Sequence, residues 1–398
     1  MNNKNFDIYL DIGASKIRAA GFDTNESNQI FFLENNCLTP LKINQLDLMT
    51  IDKILEKTVL EIEKKTGEFL DNVNLMIDSP DVLSISLSVL KKIDKKFLIK
   101  KDIEFLIQDA KQQIINGYPD KDIIHVIVTN YKINDIDYNT MPLNIECNKI
   151  SIDILFICYP KILIEKFEIL FSKHQILINQ FICTSYAKSF TYKEHFDEFN
   201  QIVFLDIGYE KTSVIFYEKE KIKFFDVLLI GGHHITKDIS KVLKLSIELS
   251  EKIKLNLNKN IIFSDSEKNT EIFQKEFLEK INEKELSVDL IKNIIFARIE
   301  EILNLSFKTI KQNQPLELNN QLKIVLIGQG SKVLDNKYID IRETTPLIDE
   351  IDFFEESTSS ICQSGMKLLN GINKQEVAFV AKKSEKKGIF ERLFYFFK

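Results

Sequence analysis

Ile8-Tyr9-Leu10-Asp11-Ile12-Gly13-Ala14-Ser15-Lys16 is an apolar run closed by an acidic residue, a glycine and a turn of small side chains. The same order of residue types returns half a chain later, in Ile202-Val203-Phe204-Leu205-Asp206-Ile207-Gly208-Tyr209-Glu210-Lys211-Thr212-Ser213. Each turn leads into a second apolar run, so each copy reads as a strand–turn–strand hairpin. The chain has 12 glycines in 398 residues, about 3% against the ~7% usual for soluble proteins. A sequence that avoids glycine keeps it where the backbone takes φ > 0 or must approach something closely. Here it is kept at Gly13, Gly208, Gly231-Gly232, and Gly328 with Gly330.

The bulk numbers bound what such a pair of turns can belong to. A chain of this length exceeds one core and predicts several domains. Its 44% hydrophobic and 28% charged residues are those of a globular protein. A net charge of −6 speaks against nucleic acid as the partner of the whole molecule. Cys37, Cys147, Cys158, Cys183 and Cys362 show no CxxC spacing and read as reduced thiols. The five histidines form no HExxH, and His233-His234 would point about 100° apart on a helix, so zinc is not expected. Met1 to Phe6 is polar and leads into a strand, which predicts no signal peptide. No run of 18 or more apolar residues predicts a membrane-spanning helix.

Along the chain, strands and helices alternate. The first hairpin and a strand near 29–32 precede a helix over 50–65 and a strand over 74–78. Residues 82–163 change rhythm: a strand over 82–90, a helix over 101–116, then strands over 123–128 and 150–158 around a polar loop. This predicts a small inserted α+β unit. A helix over 162–172 and a strand over 176–182 lead back to the second hairpin. Strands over 212–217 and 223–229 end at Gly231-Gly232, and helices are expected over 236–245 and 247–257. A long helix over 288–312 precedes a strand over 323–327 that delivers Gly328-Gln329-Gly330-Ser331. A final helix over 359–369 gives way to a lysine-rich linker.

Tight turns and helix N-termini hold a polyphosphate through backbone N–H groups, with the helix dipole adding roughly 0.3–1 kcal/mol. Gly13, Ala14 and Ser15 let the chain turn close to such a group, and Lys16 supplies a cation. Asp11 and Asp206, one at each strand end, are candidates to hold hydrated Mg²⁺ between two lobes.

The ordered motifs LDIGASK, FLDIGYEKTS, LLIGGHHIT, EKIK and IVLIGQGSK resemble the superfamily of actin, heat-shock chaperone ATPases and sugar kinases. Within it the chain resembles the FtsA family, bacterial actin homologues that tether FtsZ to the membrane. The position of the 82–163 insertion, its His125-Val126-Ile127 strand, the Gly231 to Ile239 run and the tail carry this. The resemblance implies an α/β, actin-like two-lobed fold of duplicated ribonuclease H-like domains, with an α+β subdomain 1C in place of actin 1B. Subdomain 1A would comprise 1–81 and 164–197, and 1C would be 82–163. Subdomain 2A would comprise 198–232 and 301–373 (its final helix lying on 1A), and 2B would be 233–300.

It also implies ATP as ligand. Gly13, Ser15 and Lys16, with Ala14, would meet the β- and γ-phosphates. Gly208, Lys211 and Thr212 would form the second phosphate turn, beside Gly231 and Gly232. Glu251 and Lys254 would flank ribose and adenine. Gly328, Gln329, Gly330 and Ser331 would cover the adenosine, and Asp11 and Asp206 would stand near Mg²⁺. Family members usually have glycines where this chain has Tyr209 and Glu210, so hydrolysis is expected to be very slow or absent. Arg298 matches a family arginine at the FtsZ-peptide site; an ion pair with Glu301 on the same helix is the simpler reading. Partners implied are the FtsZ C-terminal peptide, further copies of the chain, and downstream division proteins through 1C.

The tail reads directly from its residues. At 100° per residue, Ile389, Phe390, Leu393, Phe394, Phe396 and Phe397 fill one arc of a helix over 389–398, behind the linker 374–388. Ten residues are too few to span a bilayer but enough to lie in its interface. From Lys382 on, six basic side chains face two acidic ones, which suits an anionic surface. The expected place is the cytoplasmic face of the bacterial inner membrane. Rival readings are a PilM-like scaffold of pilus assembly and a sugar or acetate kinase. A heat-shock-type chaperone would need a substrate-binding domain that has no counterpart here.

Overall fold

The computed structural model describes residues 6–37, 48–138, 140–256, 288–313, 322–331 and 348–370. The expected tail helix, the linker and the stretch 257–287 lie outside them.

The first hairpin is β1 (Phe6–Ile12) and β2 (Lys16–Asp23), paired antiparallel with Asp11 opposite Arg18. β3 (Gln29–Asn36) extends it. β4 (Asn72–Ile77) and β9 (Leu177–Cys183) add parallel strands on the other side, giving the order β3-β2-β1-β4-β9. α1 (Leu48–Thr66) supplies the crossover and buries Ile51, Leu55, Val59 and Ile62, spaced three or four apart as one helix face requires.

The second sheet repeats this plan. β10 (Gln201–Ile207), β11 (Thr212–Glu218) and β12 (Lys221–Leu228) form an antiparallel meander. β13 (Leu322–Ile327) and β14 (Ile348–Phe353) run parallel beyond β10, for the order β12-β11-β10-β13-β14. The central strands are buried on both faces, which is why they read as unbroken apolar runs. Ile202 and Phe204 of β10 join the core of the first sheet, while Val203 and Leu205 face α5 (Gly232–Leu243) and α7 (Val288–Asn313). α6 (Ile247–Asn256) packs on α5.

The inserted unit is a third sheet, ordered β5-β8-β6-β7. β5 (Leu83–Phe97), β6 (Lys121–Ile133) and β8 (Glu146–Pro160) are far longer than the sequence suggested, because polar residues on their exposed faces hide the strand ends. β7 (Ile136–Tyr138) lies within the expected polar loop. α2 (Lys100–Gly117) covers one face. Alternation along β8 sends Ile152, Ile154 and Phe156 to this unit's core, and Leu155, Ile157 and Tyr159 to the first sheet's core. The Tyr159 hydroxyl donates to the Ile77 carbonyl at 2.8 Å, and Cys183 N donates to His125 Nε2 at 2.9 Å. α3 (Lys161–Lys173) then returns the chain to β9.

Two helices lie at the boundary of the two large sheets: α4 (Thr184–Tyr192) and α8 (Ser360–Asn370), packed on each other. α4 has no counterpart in the sequence reading. Its Thr184, Ser185, Tyr186, Ala187, Lys188 and Ser189 are all buried, so no polar stripe announces an amphipathic helix. β14 was likewise missed.

Candidate functional site

Both hairpin turns close alike. Gly13 N donates to Lys16 O at 2.9 Å, and Gly208 N to Lys211 O at 2.8 Å. Asp11 and Asp206 end their strands at equivalent places and are both buried. The duplication expected from the sequence is therefore geometric as well as textual.

The second turn is enclosed by every glycine motif of its half. A Cβ on Gly231 would stand 2.6 Å from Lys211 N and 2.7 Å from Gly208 O. On Gly330 it would meet Ile207 O at 2.7 Å. Gly328 has φ +89°, and a Cβ there would overlap Asp206 Oδ1. These glycines thus let three backbone segments meet at 207–211. The N–H groups of α5 turn to the same place: Gly232 N donates to Gly208 O at 2.9 Å and His233 N to Tyr209 O at 2.7 Å. Tyr209, where a glycine was expected, stacks on the His233 ring at 4.7 Å. Burial and the nearby Glu251 push the Tyr209 phenol up to about 12. Among the described residues, His233 Nδ1 is buried without a hydrogen-bond partner, an atom that a polar ligand would satisfy.

Glu251 and Lys254 reach this turn through α6. Lys254 Nζ donates to Gly232 O at 3.0 Å, Thr236 Oγ1 at 2.8 Å and Glu251 Oε2 at 2.7 Å. Burial lowers its pKa, against the pull of Glu251. A Cβ on Gly232 would lie 3.5 Å from Gly330 Cα and 3.6 Å from Lys254 Nζ. Residues from 208, 232, 254 and 330 are thus brought together. Thr212 Oγ1 donates to Ile230 O at 2.7 Å, and Ser331 Oγ to Gly328 O at 2.7 Å. Gln329 lies between the two packed glycines.

The first turn differs. Ala14 and Ser15 form its tip, and Ser15 O accepts from Cys37 N at 2.9 Å. Lys16 is engaged by Glu34 of β3, Nζ to Oε1 at 2.5 Å. Arg18 Nη1 lies 2.9 Å from Asp11 Oδ2 and Nε 3.2 Å from Glu34 Oε2. Thr184 Oγ1 donates to Asp11 Oδ1 at 3.1 Å. Burial raises the Asp11 pKa, and Arg18 opposes that rise.

Sequence reasoning missed three charged residues that join the halves. Lys188 Nζ is 2.8 Å from both oxygens of Asp206 and 2.8 Å from Glu356 Oε1. The Glu356 approach is close enough for an ion pair but lacks hydrogen-bond alignment, whereas Glu356 Oε2 accepts from Gly328 N at 2.9 Å. Asp78, after β4, has Oδ2 3.5 Å from Lys211 Nζ and accepts from Ser185 Oγ at 2.5 Å. Burial pulls the Asp78 carboxyl up, but Lys211 and Ser185 outweigh it and the net direction is down. No periodicity or motif marks these residues; only their burial does.

The expected Mg²⁺ donors, Asp11 and Asp206, are both engaged by side chains in this structure. A magnesium site needs carboxylate oxygens free to face the ion. Asp11 has one oxygen on Arg18 and one on Thr184, and Asp206 has both on Lys188. Both carboxylates are already charge-compensated in dry surroundings, and the donor set does not fit a divalent ion. Arg298 is similarly committed: Nε is 2.7 Å from Asp238 Oδ2 of α5 and Nη2 2.9 Å from Oδ1, and Nη1 pairs with Glu301.

The family model of the cell division protein FtsA matches residues 203–376. FtsA of Streptococcus pneumoniae serotype 2 is 24% identical over 340 residues, spanning 84% of this chain and 72% of that protein. FtsA of Enterococcus hirae is 20% identical over 331 residues, spanning 82% of this chain and 73% of that protein. In fold, the chain is similar to a PilM–PilN type IV pilus biogenesis complex, with TM-score 0.56 and 13% identity over 90% of this chain and 94% of that one. The resemblance to FtsA read from the motifs is thus found in relatives that match most of the chain. The actin-like two-lobed α/β fold expected from it is the fold present.

Proposed function

We propose that this chain is an actin-like cell-division protein of FtsA type, a nucleotide-gated scaffold that links FtsZ to the inner face of the cytoplasmic membrane. The observation that carries the nucleotide reading is the pair of matched turns, with the unpartnered His233 Nδ1 beside the second. ATP would lie between the turns, with Gly13, Ala14 and Ser15 on one side. On the other stand the segments around Gly208, Lys211, Gly232, Glu251, Lys254 and Gly330. Tyr209, stacked on His233, and Glu210 stand where glycines were expected in the second turn, and with them hydrolysis would be slow or absent. A steady turnover of many ATP per minute would overturn that.

The division role follows the relatives and the tail. Residues 389–398 would bind an anionic bilayer through Ile389, Phe390, Leu393, Phe394, Phe396 and Phe397. Each deeply buried apolar side chain adds roughly 1.5–3 kcal/mol before ordering costs. The FtsZ C-terminal peptide would dock on the 2B surface, where Arg298, clamped to Asp238, holds α7 to α5. Copies of the chain would polymerise, and the unit 82–163 would meet later division partners. Among the described residues, no helix is long and apolar enough to cross a membrane.

The test is co-sedimentation of the full chain with anionic vesicles and FtsZ, with and without ATP, beside a variant lacking 389–398. We expect FtsZ to reach vesicles only with the intact chain. Unchanged vesicle binding after the deletion would sink the tether. Vesicle binding without FtsZ recruitment would favour a PilM-like scaffold, and a positive phosphotransfer screen a kinase.

A further inference from the structure

We infer that the Lys188 ammonium occupies the place at Asp206 that a divalent cation would otherwise take, so that each strand-end aspartate is answered by one of the protein's own cations. Thr184 and Lys188 are four apart on α4, on one helix face. The first touches Asp11 and the second touches Asp206. One turn of one helix therefore spans both carboxylates, and an ammonium sits at the end where two buried acids converge.

That ammonium behaves as an inorganic ion would in its coordination. Three carboxylate oxygens, two from Asp206 and one from Glu356, each lie 2.8 Å from Nζ. Lys188, Asp206 and Glu356 are all buried. Burial alone would pull the lysine towards neutrality; Asp206 and Glu356 reverse this and hold its pKa above the ordinary lysine range. Arg18 does the corresponding work at Asp11. A metal entering here would have to displace Lys188 and leave its charge buried without partners. Lys211 against Asp78 is a second cation–carboxylate contact between the halves. Neither contact depends on a nucleotide, so the inference stands apart from the identity of the ligand.

The experiment uses full-length protein and Mn²⁺ as probe, with protein-bound Mn²⁺ read by electron paramagnetic resonance. Wild type is expected to bind no Mn²⁺ that Asp206→Asn removes. Lys188→Met is expected to gain a Mn²⁺ site at least tenfold tighter, lost again when Asp206→Asn is added, while Lys188→Arg gains none. A wild-type Mn²⁺ site abolished by Asp206→Asn overturns the inference, and this readout suffices even where Lys188→Met does not fold. A folded Lys188→Met without Mn²⁺ affinity overturns it too. ATP binding is measured separately by dialysis in EDTA. Its absence refutes ATP as ligand in the metal-free cleft and leaves the Mn²⁺ result to decide the inference.

Discussion

The two hairpins share a backbone and differ in where their aspartate finds its counter-charge. In the first, the counter-charge of Asp11 is Arg18, its direct cross-strand partner, which Glu34 of the same sheet also holds, while α4 contributes only the neutral Thr184 hydroxyl. In the second, Ser213 stands opposite Asp206, and the cation arrives from α4, beyond the lobe. One turn is neutralised within its own sheet, while the other is neutralised only when the two halves are together. A duplicated element can thus keep its shape while one copy becomes a local structure and the other a joint.

The sharpest way to break this contrast is Lys188→Ala. Removing the cation leaves Asp206 and Glu356 buried and uncompensated, which costs about 3–5 kcal/mol. Urea unfolding should show the loss, and hydrogen exchange should rise in both lobes. Arg18→Ala should instead confine the new exchange to β1–β3. Equal spread of exchange in both variants would erase the distinction. Next is Gly328→Ala, where a positive φ and a Cβ overlapping Asp206 Oδ1 together cost about 2 kcal/mol; an unchanged melting temperature would contradict the crowding described. Arg298→Ala removes a partly exposed pair and should cost about 1 kcal/mol, with weaker α5–α7 protection as its signature.

The smallest effect is that of pH. Burial lowers the pKa of His233 and His234, with Lys237 adding to each. The unfolded chain therefore binds protons more readily, and stability falls as pH drops from the unfolded value near 6.5 through the depressed folded values. Chemical denaturation at pH 7 and pH 5 should show this loss, reduced in a His233→Gln/His234→Gln variant. Equal pH sensitivity in wild type and variant would refute the assignment.

What the sequence made legible was whatever is local. Gly13 and Gly208 announce turns, the run Ile202–Leu205 announces a doubly buried strand, and Ile291, Ile295, Ile299 and Ile302 announce one face of α7. The small-residue motifs marked where backbone segments crowd together. Gly231, Gly328 and Gly330 bring backbone against backbone at the second turn. Lys188, Asp78 and Glu356 were illegible because their meaning lies in burial between elements far apart in the chain. A lysine within Thr-Ser-Tyr-Ala-Lys-Ser-Phe gives no sign that it will be enclosed. Lys16 shows the converse: read as a phosphate cation, it is held by Glu34, a residue whose place on β3 fixes the pair.

The sharing of β10 between two cores has a consequence for how the molecule comes apart. Ile202, Phe204, Ile215 and Tyr217 lie in the second sheet but are packed with Tyr9, Met76 and Tyr186 of the first half. Melting either half strips apolar cover from the other. Heat should therefore undo both halves in one calorimetric event, with no temperature at which one survives as a folded remnant.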